Sequence, residues 1–513
     1  MPAPKPDLSD CEVDQLWTNK HGTVRARPKR LYHLGNRWLP PQQPPTTRKW
    51  KPGLAALQAL VQTAEKSNDS VRALGGGWSL SDVAVTPDFM ADTRTLNRLE
   101  IGFTSANCDP SLNGTRDRLV FAQCGIAVLE LNTELQLRGF SIPTSGASNG
   151  QTIAGAISTG THGAANQVGS MQDFVLGFHL VSEGGEHCWI ERASRPAVTQ
   201  AFCDILGTRL VRDDRLFNAA LVSFGSFGLI HAVLFEAEPI YLLEQYLQRF
   251  DYPAVRGHLP TLDVTPLNLV GGRGLPFHFE VILNPYAAGA GERGAYVRWM
   301  FKRPFAVRPP PPDPTVVTAL GDDLVAIIGS LTDAIPAAIP LAVGNLLNSQ
   351  YPENLIGTTA THGATFGATN ITPGGLSCEL GVAIGDTPAA VNAILEVARI
   401  HPFAGVIALR FVRASDALLA FTCFAPYTCT IELPAVASAR SRSAYEMIWD
   451  LFEQRQIAHT FHWGQALRPS FARLQQVFGT RLQDWLDARR GFLTAKGRKT
   501  FANPLLQQWG LDG

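Results

Sequence analysis

The residues of this chain best suited to chemistry lie in two glycine-rich turns, each fed by a short apolar strand. The first is VRALGGGWSLSDVA at 71–84 and the second is GASNGQTIAGAISTGTHG at 146–163. A turn crowded with glycine, serine and threonine aims several backbone N–H groups one way, and that concavity suits a pyrophosphate. Glycine lets a ligand close to the backbone, and the hydroxyls add donors without bulk. Two such turns suit a dinucleotide gripped from both sides. GGGWS lacks the GxGxxG spacing and no clear helix follows it directly, so a Rossmann fingerprint is absent. Taken singly, each turn reads equally well as a tight turn of a mixed domain.

Several elements must position these turns. From Pro52 the residues Leu54, Leu57, Val61 and Ala64 fall on one helical face, and the strand 71–74 then delivers the first turn. A helix over 127–138 and a strand at 140–142 lead to the second, and strands over 174–181 and 233–236 complete the unit. Residues 241–440 read as a separate α+β unit with strands near 277–283, 376–384, 406–412 and 429–433. Residues 1–47 are polar and proline-punctuated (LPPQQPP at 39–45) and read as an arm packed on the surface.

Composition narrows the function. The chain has 513 residues, enough for two or more cores, and its 44 Lys and Arg balance 44 Asp and Glu. That balance gives no electrostatic case for nucleic acid or an anionic membrane. The eight cysteines show no paired spacing, which argues against a zinc site and a disulfide framework; no metal is expected. MPAPKPDLSDCEVDQ has neither a basic n-region nor an apolar h-region, so cytoplasmic residence is expected. The most apolar run, 324–347, is broken by Asp333, Pro336 and Pro340, so it does not make a clean membrane span. It reads as a buried helix pair or an apolar lid, with weak membrane contact through it left open. RPPPPDP at 308–314 reads as a stiff link projecting it.

Together the motifs resemble the FAD-linked oxidases of the vanillyl-alcohol oxidase, PCMH-type superfamily. The closest look is to the aldonolactone (L-gulonolactone and D-arabinono-1,4-lactone), alditol and type II cholesterol oxidases. Residues 71–84 look like the R-x-x-G-x-G-H-S loop, and 146–163 match the loop written G-x-x-x-x-Q-T-[IL]-A-G-x-x-S-T-x-T-H-G. LVSFGSFGLI at 221–230, His462-Trp463-Gly464 and KGRKTFANPLLQQWGL at 496–511 resemble further family segments. The resemblance implies an α+β fold: a PCMH-type two-subdomain FAD-binding domain at 48–240, an α+β cap carrying the substrate pocket at 241–440, and a return to the FAD domain at 441–513. It implies FAD contacts from Gly75, Gly76, Gly77, Trp78 and Ser79, and from Gly146, Ala147, Ser148, Gln151, Thr152, Gly155, Ser158, Thr161, His162 and Gly163. Gly228 and Ile230 belong to the adenine side.

Departures from the pattern carry expectations of their own. Many relatives attach FAD through the histidine of G-x-G-H-S; Trp78 stands there and cannot form that bond, so noncovalent FAD is expected. The family's Glu-x-Arg pair reads here as Ala408 and Arg410, with Arg413 as the competitor, and Gln465 replaces the lysine of H-W-[GA]-K. These changes weaken the polar contacts to a polyol and suit a less polar substrate. Glu280 and Glu379 alternate with apolar neighbours, the pattern of solvent-facing glutamates; turned inward, either is a candidate base. The expected activity is oxidation of a CH–OH group of a small or moderately apolar substrate, by hydride transfer to flavin N5. Arg410 would be the electrostatic stabiliser and His462 the acid–base or positioning group, with oxygen or another acceptor taking the electrons. A non-catalytic FAD-binding scaffold and an NADPH-dependent reductase remain alternatives.

Overall fold

Strand alternation and the glycine turns assemble into three principal sheets in the computed structural model, which describes residues 8–35, 50–270, 274–306, 335–367 and 374–513. The LPPQQPP stretch, the 308–314 link and 324–334 lie outside the described residues. A four-stranded sheet runs Cys11–Val13, Arg30–His33, Phe89–Asp92, Val71–Leu74, with the last three strands parallel. The helix Lys51–Ser67 precedes Val71–Leu74 and buries Leu57, Leu60, Val61 and Ala64 completely. It ends at Asn68, whose left-handed backbone turns the chain into the strand. A six-stranded sheet is ordered Arg209–Arg212, His187–Glu191, Val175–Val181, Leu229–Glu236, Leu119–Gln123, Leu99–Ile101. One apolar core joins residues of both sheets to the helices Lys51–Ser67 and Ile153–Thr159.

The third sheet has eight strands: Asn354–Thr361, Tyr241–Phe250, Ala295–Pro304, His278–Leu283, Ile407–Arg413, Tyr427–Val436, Gly375–Ala383 and His459–Phe461, in that spatial order. Period-two alternation gives it two unlike faces. Phe279, Val297, Leu409, Ile431 and Leu380 pack with the helices Thr387–Ile400 and Ala439–Gln454. On the other face, Arg298, Glu280, Arg410 and Thr430 stand side by side across four strands, and Ala408, Glu432 and Glu379 form the next row. The helix Ile339–Gln350 covers part of this second face through Val343, Leu346 and Leu347. No helix among the described residues is long and apolar enough to cross a membrane.

The C-terminal segment returns to the glycine turns. Arg72, fully buried, donates to the carbonyls of Phe501 (3.1 Å), Val83 (2.5 Å) and Phe224. Asn503 donates to the Val85 carbonyl at 2.9 Å, and Arg489 to Ser226 and Asp512. The arginine bonds are charge-assisted and roughly twice as strong as neutral ones, which suits them to clamp loops of irregular backbone.

Burial also fixes the charge state of several histidines. His21, His231 and His278 are pushed down to about 4, His362 to about 3, and His179 well below its usual value. Between these values and about 6.5 the unfolded chain binds protons that the folded chain refuses. These histidines therefore leave stability level between about pH 7 and 8 and make it fall from about pH 6.5 to 4, against the opposing carboxyl of Asp173, which burial pushes up to about 6. Urea midpoints across that range check this; a midpoint constant from pH 7 to 5 would contradict it.

Candidate active site

The two glycine turns lie directly against each other. A Cβ at Gly75 would overlap the Thr152 hydroxyl, one at Gly76 the Gly150 carbonyl oxygen, and one at Gly150 the Trp78 indole. Glycine is required by this closeness, and at Gly77 by a positive φ of 72°. The turns border two cavities that meet. The first, about 980 Å³ counted to its open mouth, is lined by Gly75, Gly76, Gly77, Thr152, Gly155, Ser158, Gly228 and Ile230. The second, about 830 Å³, is lined by Gly146, Ala147, Ser148, Thr161, His162, Arg410 and His462. Trp78, Ser79 and Gln151 line both, so the two are compartments of one site. Of the FAD contacts expected from sequence, only Gly163 lines neither cavity; a Cβ there would come within 2.5 Å of the Ser145 carbonyl oxygen.

These residues fit a dinucleotide. The turns form a cradle that any Cβ at 75 or 76 would obstruct, and Gln151 Oε1 is buried at the junction of the compartments without a partner among the described residues. A buried amide oxygen left unpaired is unusual, and a ligand or water donor would satisfy it.

The polar face of the eight-stranded sheet forms a wall of the second compartment. Arg410 donates through Nε to Glu280 Oε1 at 2.8 Å and through Nη1 to Glu432 Oε2 at 2.6 Å. Its Nη1 is also 3.7 Å from Glu379 Oε1. Behind it, Arg298 holds Glu280 Oε2 at 3.0 and 2.5 Å. Burial alone would raise the Glu280 carboxyl, but the Arg298 and Arg410 guanidinium groups hold it well below the usual carboxylate range. Burial likewise opposes the Arg410 charge, yet the carboxylates of Glu432, Glu280 and Glu379 raise it above its ordinary value.

This network changes several sequence readings. Glu280 and Glu379 do not face solvent: their side chains are 2% and 3% exposed, each turned into the ion network. Arg410 occupies the cavity wall, whereas Arg413 is exposed and donates to the Val168 carbonyl at 3.5 Å. Ala408 lacks a carboxylate, but its register partner on the neighbouring strand is Glu432, which supplies one to Arg410. The less polar site expected from Ala408 and Gln465 is therefore not what the wall presents. Gln465 Nε2 donates to Glu432 Oε1 at 3.2 Å, and its Oε1 is buried without a partner among the described residues.

The histidines divide in role. His462 Nδ1 accepts the Gly464 N–H at 3.0 Å, so the ring proton belongs on Nε2, and burial pushes the imidazole down to about 4. At neutral pH His462 is a neutral hydrogen-bond donor at Nε2, not a base. His162 bonds the Gly163 carbonyl through Nδ1 at 2.8 Å and Glu379 Oε1 through Nε2 at 2.9 Å. Trp463 fills core beside Phe224 and Trp509 and donates to the Leu419 carbonyl at 2.7 Å. Sequence reasoning missed His21, Ser377 and Glu432, which line the second compartment. Only knowledge of strand register would have found Glu432, opposite Ala408.

With this geometry in hand, the likeness to known proteins is specific. Residues 54–191 match the family described as FAD binding domain, and the cofactor of this chain is FAD. A protein of Neurospora crassa named Putative D-arabinono-1,4-lactone oxidase is 30% identical over 190 residues, 37% of this chain and 29% of that protein. An L-gulono-1,4-lactone dehydrogenase of Mycobacterium tuberculosis is 28% identical over 233 residues, 45% of each chain. The matched stretch spans about a third of the length of the fungal relatives. A solved structure of cholesterol oxidase from Brevibacterium sterolicum superimposes with a TM-score of 0.64 at 15% identity, covering 99% of each chain. The chain therefore has the PCMH-type α+β fold of that enzyme.

The cradle makes a sharp prediction. Gly76→Ala forces a Cβ against the Gly150 carbonyl and should weaken FAD affinity by at least about tenfold, a cost of roughly 1.4 kcal/mol or more. Titration of the apoprotein with FAD, followed by flavin fluorescence, checks this; unchanged affinity would contradict it.

Proposed function

We propose that this protein is an FAD-dependent oxidoreductase that oxidises a CH–OH group of a small hydroxylated substrate, with FAD held noncovalently. The observation that carries the reading is Arg410, a guanidinium held by carboxylates from two neighbouring strands at the compartment that adjoins the cofactor cradle. Bound FAD supplies a hydride acceptor at N5. Within the chain, the turns at 75–79 and 146–163 bind and orient the dinucleotide. Trp78, against Gly150, stands where a histidyl attachment would be and offers no nucleophile for one. His462 Nε2–H orients the substrate oxygen, and Arg410 stabilises negative charge developing there. Glu432, 17% exposed against 2% and 3% for Glu280 and Glu379, is the carboxylate best placed to take the hydroxyl proton.

The same reading assigns residues 48–240 and 441–513 to the FAD domain, 241–440 to the substrate cap and 1–47 to an arm. The reacting end of the substrate meets charged and amide groups, so it is polar whatever its remainder. Oxygen or another acceptor takes the electrons. All eight cysteines are free, which fits a reducing, cytoplasmic setting. The exposed Ile335 and Leu341 offer at most weak membrane contact.

Anaerobic mixing of the flavin-loaded protein with neutral polyols, aldonolactones and secondary alcohols tests the assignment. One class should bleach the flavin, and Arg410→Met should slow that bleaching by about 10²–10³-fold. Bleaching by NADPH alone would move the protein to the reductases. Failure with every alcohol would favour a binding role.

A further inference from the structure

His162 closes the second glycine turn, and its two ring nitrogens face two acceptors. The Gly163 carbonyl at 2.8 Å accepts only, so Nδ1 carries a hydrogen. Glu379 Oε1 lies 2.9 Å from Nε2, and that contact also needs a hydrogen. Either the carboxyl or the imidazole provides it. The surroundings decide between them. Arg410 Nη1 lies 3.7 Å from Glu379 Oε1, and Gln465 Nε2 lies 3.4 Å from Oε2, so both carboxylate oxygens meet donors. Those donors favour the ionised carboxylate over the neutral acid. The proton therefore belongs to the imidazole. Both side chains are 3% exposed, so water does little to screen the charge.

We infer that His162 is a buried imidazolium, held charged by Glu379, and that it supplies a fixed positive charge at the cofactor end of the catalytic compartment. The inference rests on the FAD reading for its functional consequence, though not for its charge state. The charged and titratable groups facing the pair are Arg410 and Glu432 on the sheet and His462 after the last strand. Arg410 stands on the sheet side and His462 is neutral, so His162 is the cation on the turn side of this compartment. A positive charge there favours the reduced, anionic cofactor over the oxidised one. His162 acts as a positioning residue for charge, and Glu379 acts through it.

Nitrogen-15 NMR of the histidine side chains tests the charge directly, with or without cofactor. His162, assigned by its loss in His162→Gln, should show both nitrogens protonated at pH 7.5. In Glu379→Gln the amide can donate to Nε2, and the ring should become a neutral Nδ1–H tautomer. A neutral imidazole in the unaltered protein would overturn the inference. In the flavin-loaded protein, His162→Gln should weaken the preference for reduced over oxidised FAD by about tenfold, a midpoint about 30 mV more negative for a two-electron couple. An unchanged midpoint with FAD bound would overturn the functional half. Failure of the protein to take up FAD would instead defeat the flavoprotein reading and leave the NMR result standing. Circular dichroism of both variants separates loss of charge from loss of fold.

Discussion

Burying ionised side chains in the interior of a sheet face is the constraint around which this site is arranged. A carboxylate or guanidinium taken from water costs several kcal/mol unless the surrounding groups return it. Glu280, Glu432, Arg298 and Arg410 meet that condition only as a set, because each charge answers another across adjacent strands. Removing one partner leaves an uncompensated charge, a loss of roughly 3–5 kcal/mol in comparable cases. The register of Arg298, Glu280 and Arg410 is therefore a condition of the fold as well as of the chemistry.

The network is useful only because the opposite wall is made of glycine turns. Residues 75–79 of the first turn and 146–152 of the second lie outside helix and strand, and distant parts of the chain hold them. Arg72 ties the strand before the first turn to Phe501, and Leu80 N–H donates to the Gly464 carbonyl at 2.7 Å. His162 joins the second turn to Glu379. The C-terminal segment thus acts as a strap. It brings cradle and sheet together and carries His462 and Gln465 into the same compartment.

Much of this was legible in the sequence, for identifiable reasons. Glycine turns announce themselves because no other residue tolerates the close approaches at Gly75 and Gly76. Strands with clean alternation were equally readable: 376–384 and 406–412 were expected, and Gly375–Ala383 and Ile407–Arg413 formed. What alternation could not reveal was which face is buried polar and which is buried apolar, since both faces of this sheet are covered. Glu280 and Glu379 therefore read as solvent-facing. Ala408 misled for a related reason: the missing carboxylate reappears at Glu432, 24 positions on in sequence but directly opposite in register. Motif reading looks along the chain, and the site is assembled across it. His462 lines the second compartment, but the Gly464 N–H that occupies its Nδ1 is a bond that residue types do not disclose.

The central claim is that the paired turns hold FAD without a covalent bond. The visible absorption spectrum of the purified protein, before and after acid precipitation, tests it most directly. The account predicts flavin absorption that passes wholly into the supernatant. A protein that stays colourless in the presence of added FAD, or a pellet that keeps its yellow colour, would contradict it.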